Sequence, residues 1–121
     1  QHLRFVHAPF GPLTDEQWRH LARHGARRDG ERWRLHYDPA IRVPFADWEP
    51  ADTESWERWD RIACPTLVVR GGSSVLLDPA TAEAMTRRGP KARLVTVAGV
   101  GHAPMLMSPD QIEPVAAFLA G

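Results

Sequence analysis

The sequence predicts an α/β fold in which two short parallel strands, joined by a helix, follow a Trp-rich helical segment. Three observations carry this. Thr66-Leu67-Val68-Val69 and Arg93-Leu94-Val95-Thr96-Val97 are continuous β-branched and apolar runs, the pattern of parallel strands covered on both faces. A helix signal lies between them, and strand, helix, strand within ~35 residues is a βαβ unit with a right-handed crossover. All five Trp lie between positions 18 and 59, over short helical patterns. Large rings at that density form a packed cover, with core filling as the plain reading and a lid over an apolar substrate pocket as the functional one.

The elements follow in order. In Leu13-Thr14-Asp15-Glu16-Gln17-Trp18, Thr14 caps the first N–H groups while Gln17 reaches back, and Leu13 staples onto Trp18. The helix is expected to run to His24, with Gly25 as a left-handed stop. Asp29-Gly30, followed by the alternation Trp33, Leu35, Tyr37, predicts a small hairpin with one buried face. Asp38-Pro39 and Pro44 then break the chain. Asp52 opens a short helix on which Trp56, Trp59 and Ile62 recur at three-residue spacing.

From Cys64 onward the α/β pattern takes over. After the first strand, Asp78-Pro79 predicts a capped helix through Arg88, closed by Gly89-Pro90. After the second, Ser108-Pro109-Asp110-Gln111 reads as a capping box opening a last helix with Ile112, Val115, Ala116 and Leu119 on one face. Pro114 removes an interior hydrogen bond, so a kink or a later helix start is expected. The chain thus divides into residues 1–51, a cap-like helical segment with a hairpin, and residues 52–121, the α/β half.

At 121 residues the chain has room for one core. Fifteen basic residues balance fifteen acidic ones, so no overall field draws it to nucleic acid or an anionic membrane. Small neutral ligands remain open. Eleven acidic and ten basic residues precede Ile62, which leaves the second half sparsely charged. No apolar run approaches the ~20 residues of a membrane span. The lone Cys64 excludes an internal disulfide and fits a reducing, cytoplasmic setting. Gln1 stands where a Met would be expected, consistent with a processing boundary. Fourteen of the fifteen basic residues are Arg, which suggests a GC-rich bacterial source.

In a doubly wound parallel sheet, ligands bind outside the carboxyl ends of the strands. Two loops belong there: Gly71 to Asp78, and Ala98 to Met107. In the second, Ala98-Gly99-Val100-Gly101-His102-Ala103-Pro104, glycines let the backbone bend and lift His102 over the strand end, where an imidazole exchanges protons. Taken alone, a His in a Gly-rich loop is usually just a polar loop residue.

The pair Cys64-Pro65-Thr66-Leu67-Val68-Val69-Arg70-Gly71 and Val97-Ala98-Gly99-Val100-Gly101-His102-Ala103-Pro104 resembles the last two strands of the α/β-hydrolase fold. The Ser108–Leu119 helix and Trp56-Glu57-Arg58-Trp59-Asp60-Arg61-Ile62 resemble bacterial members acting on ester or carbon–carbon bonds. The likeness is read over about residues 52–120, with 1–51 similar only to the variable cap and flanking helices. It implies that this is the C-terminal part of such a fold, with His102 as general base, no cofactor, and a small-molecule apolar substrate bound once a missing N-terminal half completes the site.

Two departures qualify the resemblance. The family's serine lies in G-x-S-x-G on a strand-to-helix elbow, ahead of the acid and the histidine. No such motif occurs here: Gly71-Gly72-Ser73-Ser74-Val75 fails at the last glycine. Related sequences carry the acid in a pattern like Ser-Asp-Leu-Leu, where this chain reads Ser74-Val75-Leu76-Leu77. Val75 cannot orient an imidazole. Asp78 is the nearest substitute acid, although a helix N-cap is its plain role. The chain alone is therefore expected to be inactive, and the alternative is a non-catalytic, degenerate module retained for oligomerisation or binding.

Other candidates are weaker. His20 and His24 have the spacing of a two-histidine zinc pair but no third ligand, which favours solvent-facing residues and no metal. Cys64 is expected to be a buried structural thiol. Gly99-x-Gly101 lacks the third glycine and the helix of a dinucleotide fingerprint. The Thr66–Val69 edge carries no Pro or Lys to blunt it, so the chain should form a homodimer or cover that edge with its Trp-rich half.

Overall fold

The computed structural model describes residues 4, 5, 7–46 and 52–121, without the side chains of residues 45 and 52–54; Trp48 lies outside the described residues. Helix α1 (Asp15–Gly25) begins as its cap dictates. Gln17 N donates to Thr14 Oγ1 at 3.2 Å and Thr14 N to Gln17 Oε1 at 2.8 Å, a reciprocal capping box. The helix does not end on a left-handed glycine. Ala26 follows at φ −136°, ψ 151°, so α1 runs straight into β1 (Ala26–Asp29). His36 N donates to the Gly25 carbonyl at 3.0 Å, satisfying a helix-end acceptor that a left-handed cap would otherwise serve.

Strand β1 pairs antiparallel with β2 (Arg32–Leu35), Asp29 opposite Arg32. Gly30 takes φ +62° in the two-residue turn, a conformation glycine adopts without a Cβ penalty. The expected buried face is not formed. Only Leu35 is partly covered, while Trp33 is 67% exposed and Tyr37 is exposed. A two-stranded ribbon has too little surface to bury a face by itself. A 3-10 segment, Pro39–Phe45, follows, with Asp38 Oδ1 accepting from Ala40 N at 2.9 Å.

Helix α2 (Asp52–Asp60) leads to β3 (Leu67–Gly71), α3 (Pro79–Met85), β4 (Arg93–Val97) and α4 (Pro109–Leu119). Strands β3 and β4 are parallel, with Leu67 opposite Arg93 and Gly71 opposite Val97. The buried apolar residues Val68, Ala82, Ala92 and Val97 all belong to this βαβ unit. Helix α3 stops short of the expected Arg88. Residues 86–88 form turns, and Ala92 N returns to the Met85 carbonyl at 3.2 Å.

The tryptophans of α2 close that corner. Trp59 Nε1 donates to the Arg88 carbonyl at 3.1 Å, and the Arg88 guanidinium lies 4.3 Å from the Trp56 ring centroid while forking onto the Asp60 carboxylate. Gly89, at φ +58°, sits where a Cβ would be 2.7 Å from the Trp59 carbonyl. Because this cluster precedes β4, it lies at the sheet end opposite His102. Trp56 and Trp59 thus form packing rather than a lid over the histidine.

At α4 the Ser108 hydroxyl makes no cap bond; Gln111 Oε1 accepts instead from Met107 N at 3.4 Å. The helix starts at Pro109 and carries Pro114 inside it, so the later start is not adopted. Among the described residues, no strand pairs with the outer edge of β3, and the hairpin forms a sheet of its own.

Candidate active site

The two loops at the carboxyl ends of β3 and β4 are zipped together beyond the strands. Gly72 N donates to the Val97 carbonyl at 2.7 Å and Ser73 N to the Val100 carbonyl at 2.9 Å. The glycines have separate duties. Gly99, at φ +69°, is the bend. Gly71 and Gly101 permit close approach: a Cβ on Gly71 would stand 1.9 Å from the Gly101 carbonyl oxygen, and one on Gly101 would stand 1.5 Å from that of Pro9. Three backbone layers, from residues 9–10, 100–101 and 71, therefore stack with no room for a side chain. Gly101 N donates to the Phe10 carbonyl at 3.2 Å, so the N-terminal segment supports the histidine loop directly. Gln17 Nε2 reaches the Met107 carbonyl at 3.2 Å and ties α1 to the far end of the same loop.

His102 is half-buried on this platform, and its Nδ1 lies 3.3 Å from the Ser74 hydroxyl. Ser74, 9% exposed, also accepts from Leu76 N at 3.3 Å and Leu77 N at 3.0 Å, so its oxygen turns the loop as well as meeting the imidazole. Arg70, 6% exposed, clasps the loop from beneath. Its Nε donates to the Leu77 carbonyl at 2.8 Å and its Nη1 to the Gly72 carbonyl at 3.3 Å. A buried guanidinium needs such acceptors, and here they are the two ends of the loop.

Val75 is 85% exposed on the loop crest. Asp78 caps α3: its Oδ1 accepts from Thr81 N at 2.9 Å and its Oδ2 from the Thr81 hydroxyl at 2.6 Å. The Thr81 hydroxyl, followed by the Thr81 amide, holds the Asp78 carboxyl below its ordinary value. The side chain brought to His102 Nδ1 is Ser74, and Asp78 is engaged at the helix start. His20 and His24 lie with ring centroids 4.4 Å apart and planes tilted by 47° on the exposed side of α1, and no group of three or more metal-ligating side chains occurs among the described residues. Cys64 is exposed rather than buried, because it lies in the connection before β3 begins. Ser74 and Arg70 were not singled out by sequence reasoning. The available signal was a hydroxyl beside Val75, where the resemblance would place a carboxylate, and an Arg within an otherwise apolar strand.

Residues 1–118 match the Alpha/beta hydrolase family, and the chain belongs to it. The match includes residues 1–51, so the N-terminal part belongs to the family as well as the segment that carries the motifs. The chain is 38% identical to 3-hydroxybutyrate-oligomer hydrolase of Cupriavidus necator over 129 aligned positions, covering 99% of this chain and 44% of that protein. It is also similar to the crystal structure of a protein described as a hydrolase from Rickettsia typhi, with TM-score 0.80 and 28% identity over 98% of this chain and 40% of the other. An alpha/beta hydrolase from Novosphingobium aromaticivorans gives TM-score 0.77 and 29% identity over 98% and 45%. The chain therefore spans under half the length of the relatives it matches, and its fold is the corresponding part of an α/β-hydrolase: the last two parallel strands with their helices, preceded by the Trp-rich segment. No helix among the described residues is long and apolar enough to cross a membrane.

Proposed function

We propose that this chain supplies the histidine side of a serine-hydrolase active site that cleaves esters of small, largely apolar hydroxy acids in the cytoplasm. The observation that carries the reading is the placement of His102 at the carboxyl end of β4, on a stack of glycine backbones and against the loop that follows β3. The ester preference rests on the Cupriavidus necator relative, whose name specifies 3-hydroxybutyrate oligomers. His102 would take the proton of a serine held on an elbow outside these 121 residues. Because no nucleophile motif occurs within the chain, the chain by itself should not turn over.

The test compares the 121-residue chain with the product of its full reading frame on short aryl esters and a linear 3-hydroxybutyrate dimer. Turnover by the full product that disappears in His102→Ala supports the proposal. Equal turnover by wild type and His102→Ala overturns it.

A second reading has its own observation. Val75 and Leu76 are 85% and 76% exposed at the acid position, and no carboxylate meets His102 among the described residues. These features suit a non-catalytic module that associates through this loop or the open edge of β3, as a homodimer. Light scattering on the chain at micromolar concentration separates the readings: a dimer with no esterase activity in the full product favours the module, and an active monomer removes it.

A further inference from the structure

We propose that Ser74 fixes the tautomer of His102, placing the ring hydrogen on Nε2 and making Nδ1 the acceptor. The donors and acceptors around the Ser74 hydroxyl leave one arrangement. A serine hydroxyl has two lone pairs and one hydrogen. The amides of Leu76 and Leu77, which can only donate, occupy both lone pairs at 3.3 and 3.0 Å. The third neighbour is His102 Nδ1 at 3.3 Å, and the only element left for it is the hydroxyl hydrogen. Ser74 is therefore the donor of that pair, Nδ1 accepts, and the neutral ring carries its hydrogen on Nε2.

This reverses the arrangement a general base requires. A histidine that takes a proton at Nε2 holds its own hydrogen on Nδ1, where a carboxylate receives it. Here the Nδ1 partner offers a hydrogen instead of accepting one, because its acceptor capacity is already used to turn the loop. Arg70 makes that turn hard to rearrange, since its guanidinium holds the Gly72 and Leu77 carbonyls on either side. In this state His102 presents an N–H donor at Nε2, suited to a carbonyl or carboxylate oxygen. To act as a base, the ring must first part from Ser74. Ser74 is thus a positioning residue. Its consequence for mechanism rests on the proposed hydrolase reading, while the hydrogen bonds around Ser74 are independent of turnover.

The experiment is nitrogen-15 spectroscopy of the histidine rings in the 121-residue chain at about pH 8.5, roughly two units above the ordinary imidazole pKa. Couplings from each ring nitrogen to the carbon-bound ring hydrogens identify which nitrogen bears the hydrogen. In wild type, the His102 Nδ1 resonance should be that of an unprotonated, pyridine-like nitrogen, and Nε2 that of an N–H. Ser74→Thr keeps the hydroxyl and should keep this spectrum. Ser74→Ala should move the two ring resonances toward each other as the tautomers mix, with the β3 and β4 amide resonances reporting that the sheet is retained. A wild-type ring with its hydrogen on Nδ1 overturns the proposal, as does a Ser74→Ala spectrum identical to wild type. Should Ser74→Ala not fold, the wild-type Nδ1 resonance decides: displacement from the position of a free pyridine-type nitrogen, as an accepted hydrogen bond produces, supports the proposal, and the free position overturns it. No substrate is present, so failure here is distinct from failure of the esterase assay.

Discussion

The two halves of this chain cover their apolar residues to different extents. Between Leu67 and Val97 the parallel strands and their crossover helix bury Val68, Ala82, Ala92 and Val97. The loops beyond them are joined backbone to backbone, with no space for a Cβ at Gly71 or Gly101. In residues 7–46 no described residue is buried, and Trp33, Tyr37, Ile41 and Val43 stand exposed. The difference lies in what covers each element. A βαβ unit covers one face of its own sheet, whereas a two-stranded hairpin covers neither. Among the described residues, the hydrogen bonds that tie the N-terminal half to the histidine loop include the Phe10 carbonyl on Gly101 N, and Gln17 on the Met107 carbonyl.

The most severe test of this contrast adds one methyl group on each side of it. Gly101→Ala would press a Cβ into the Pro9 carbonyl, and Gly71→Ala would press one into the Gly101 carbonyl. Each is predicted to lower stability by about 3 kcal/mol, at the upper end of overpacking costs. Gly25→Ala, in open space at the end of α1, should raise stability by about 0.5–1 kcal/mol, since only the freedom of the unfolded chain changes. Urea unfolding of the three variants checks this. If Gly101→Ala and Gly25→Ala have equal midpoints, the stacked-backbone account is wrong.

A second prediction concerns the clasp beneath the loop. Arg70→Met keeps bulk but strips the Leu77 and Gly72 carbonyls of their donor, for an expected loss of about 2–3 kcal/mol. Amide exchange should quicken across residues 72–77 ahead of β4. Uniform exchange throughout the βαβ unit would show that Arg70 supports the sheet rather than the loop.

The third prediction is a pH dependence at the α2 corner. The hydrogen bond from Arg88 holds the Asp60 carboxyl below its ordinary value. A folded pKa below the unfolded one means the stabilisation is complete above the unfolded value and is lost as pH falls through the folded one. The chain should therefore lose stability below about pH 4, and Asp60→Asn should flatten that limb of the profile. Asp15, lowered by its hydrogen bond to Arg4, contributes in the same direction, so Asp15→Asn is the control. An acid limb unchanged in Asp60→Asn would remove the pair from the account.

The smallest effect is expected at Trp33. Its ring is 67% exposed, so Trp33→Ser should shift stability by no more than about 0.5 kcal/mol. A loss several times larger would mean that the hairpin face is covered in solution, and would support the dimer.

Much of this molecule was determined by local sequence. Thr14 with Gln17 specifies a reciprocal cap whatever lies around it. Asp78-Pro79 specifies a helix start, and the apolar runs at Leu67 and Arg93 specify strands of parallel type. Glycines around His102 marked the loop as one that needs unusual backbone. These features depend on hydrogen bonds and sterics within a few residues, so spacing alone reveals them. Contacts distant in sequence required the tertiary structure. Gly25 ends its helix without a left-handed turn because His36 arrives to take its carbonyl. Gly101 is required less for its own dihedral angles than because Pro9 passes against it, and Cys64 is exposed in the connection between α2 and β3. Ser74 meets His102 across a gap of 28 residues because parallel pairing sets the ends of β3 and β4 side by side. The sequence determined which residue types stand at the strand ends; only the packing of the two loops decided that a hydroxyl, rather than a carboxylate, faces the imidazole.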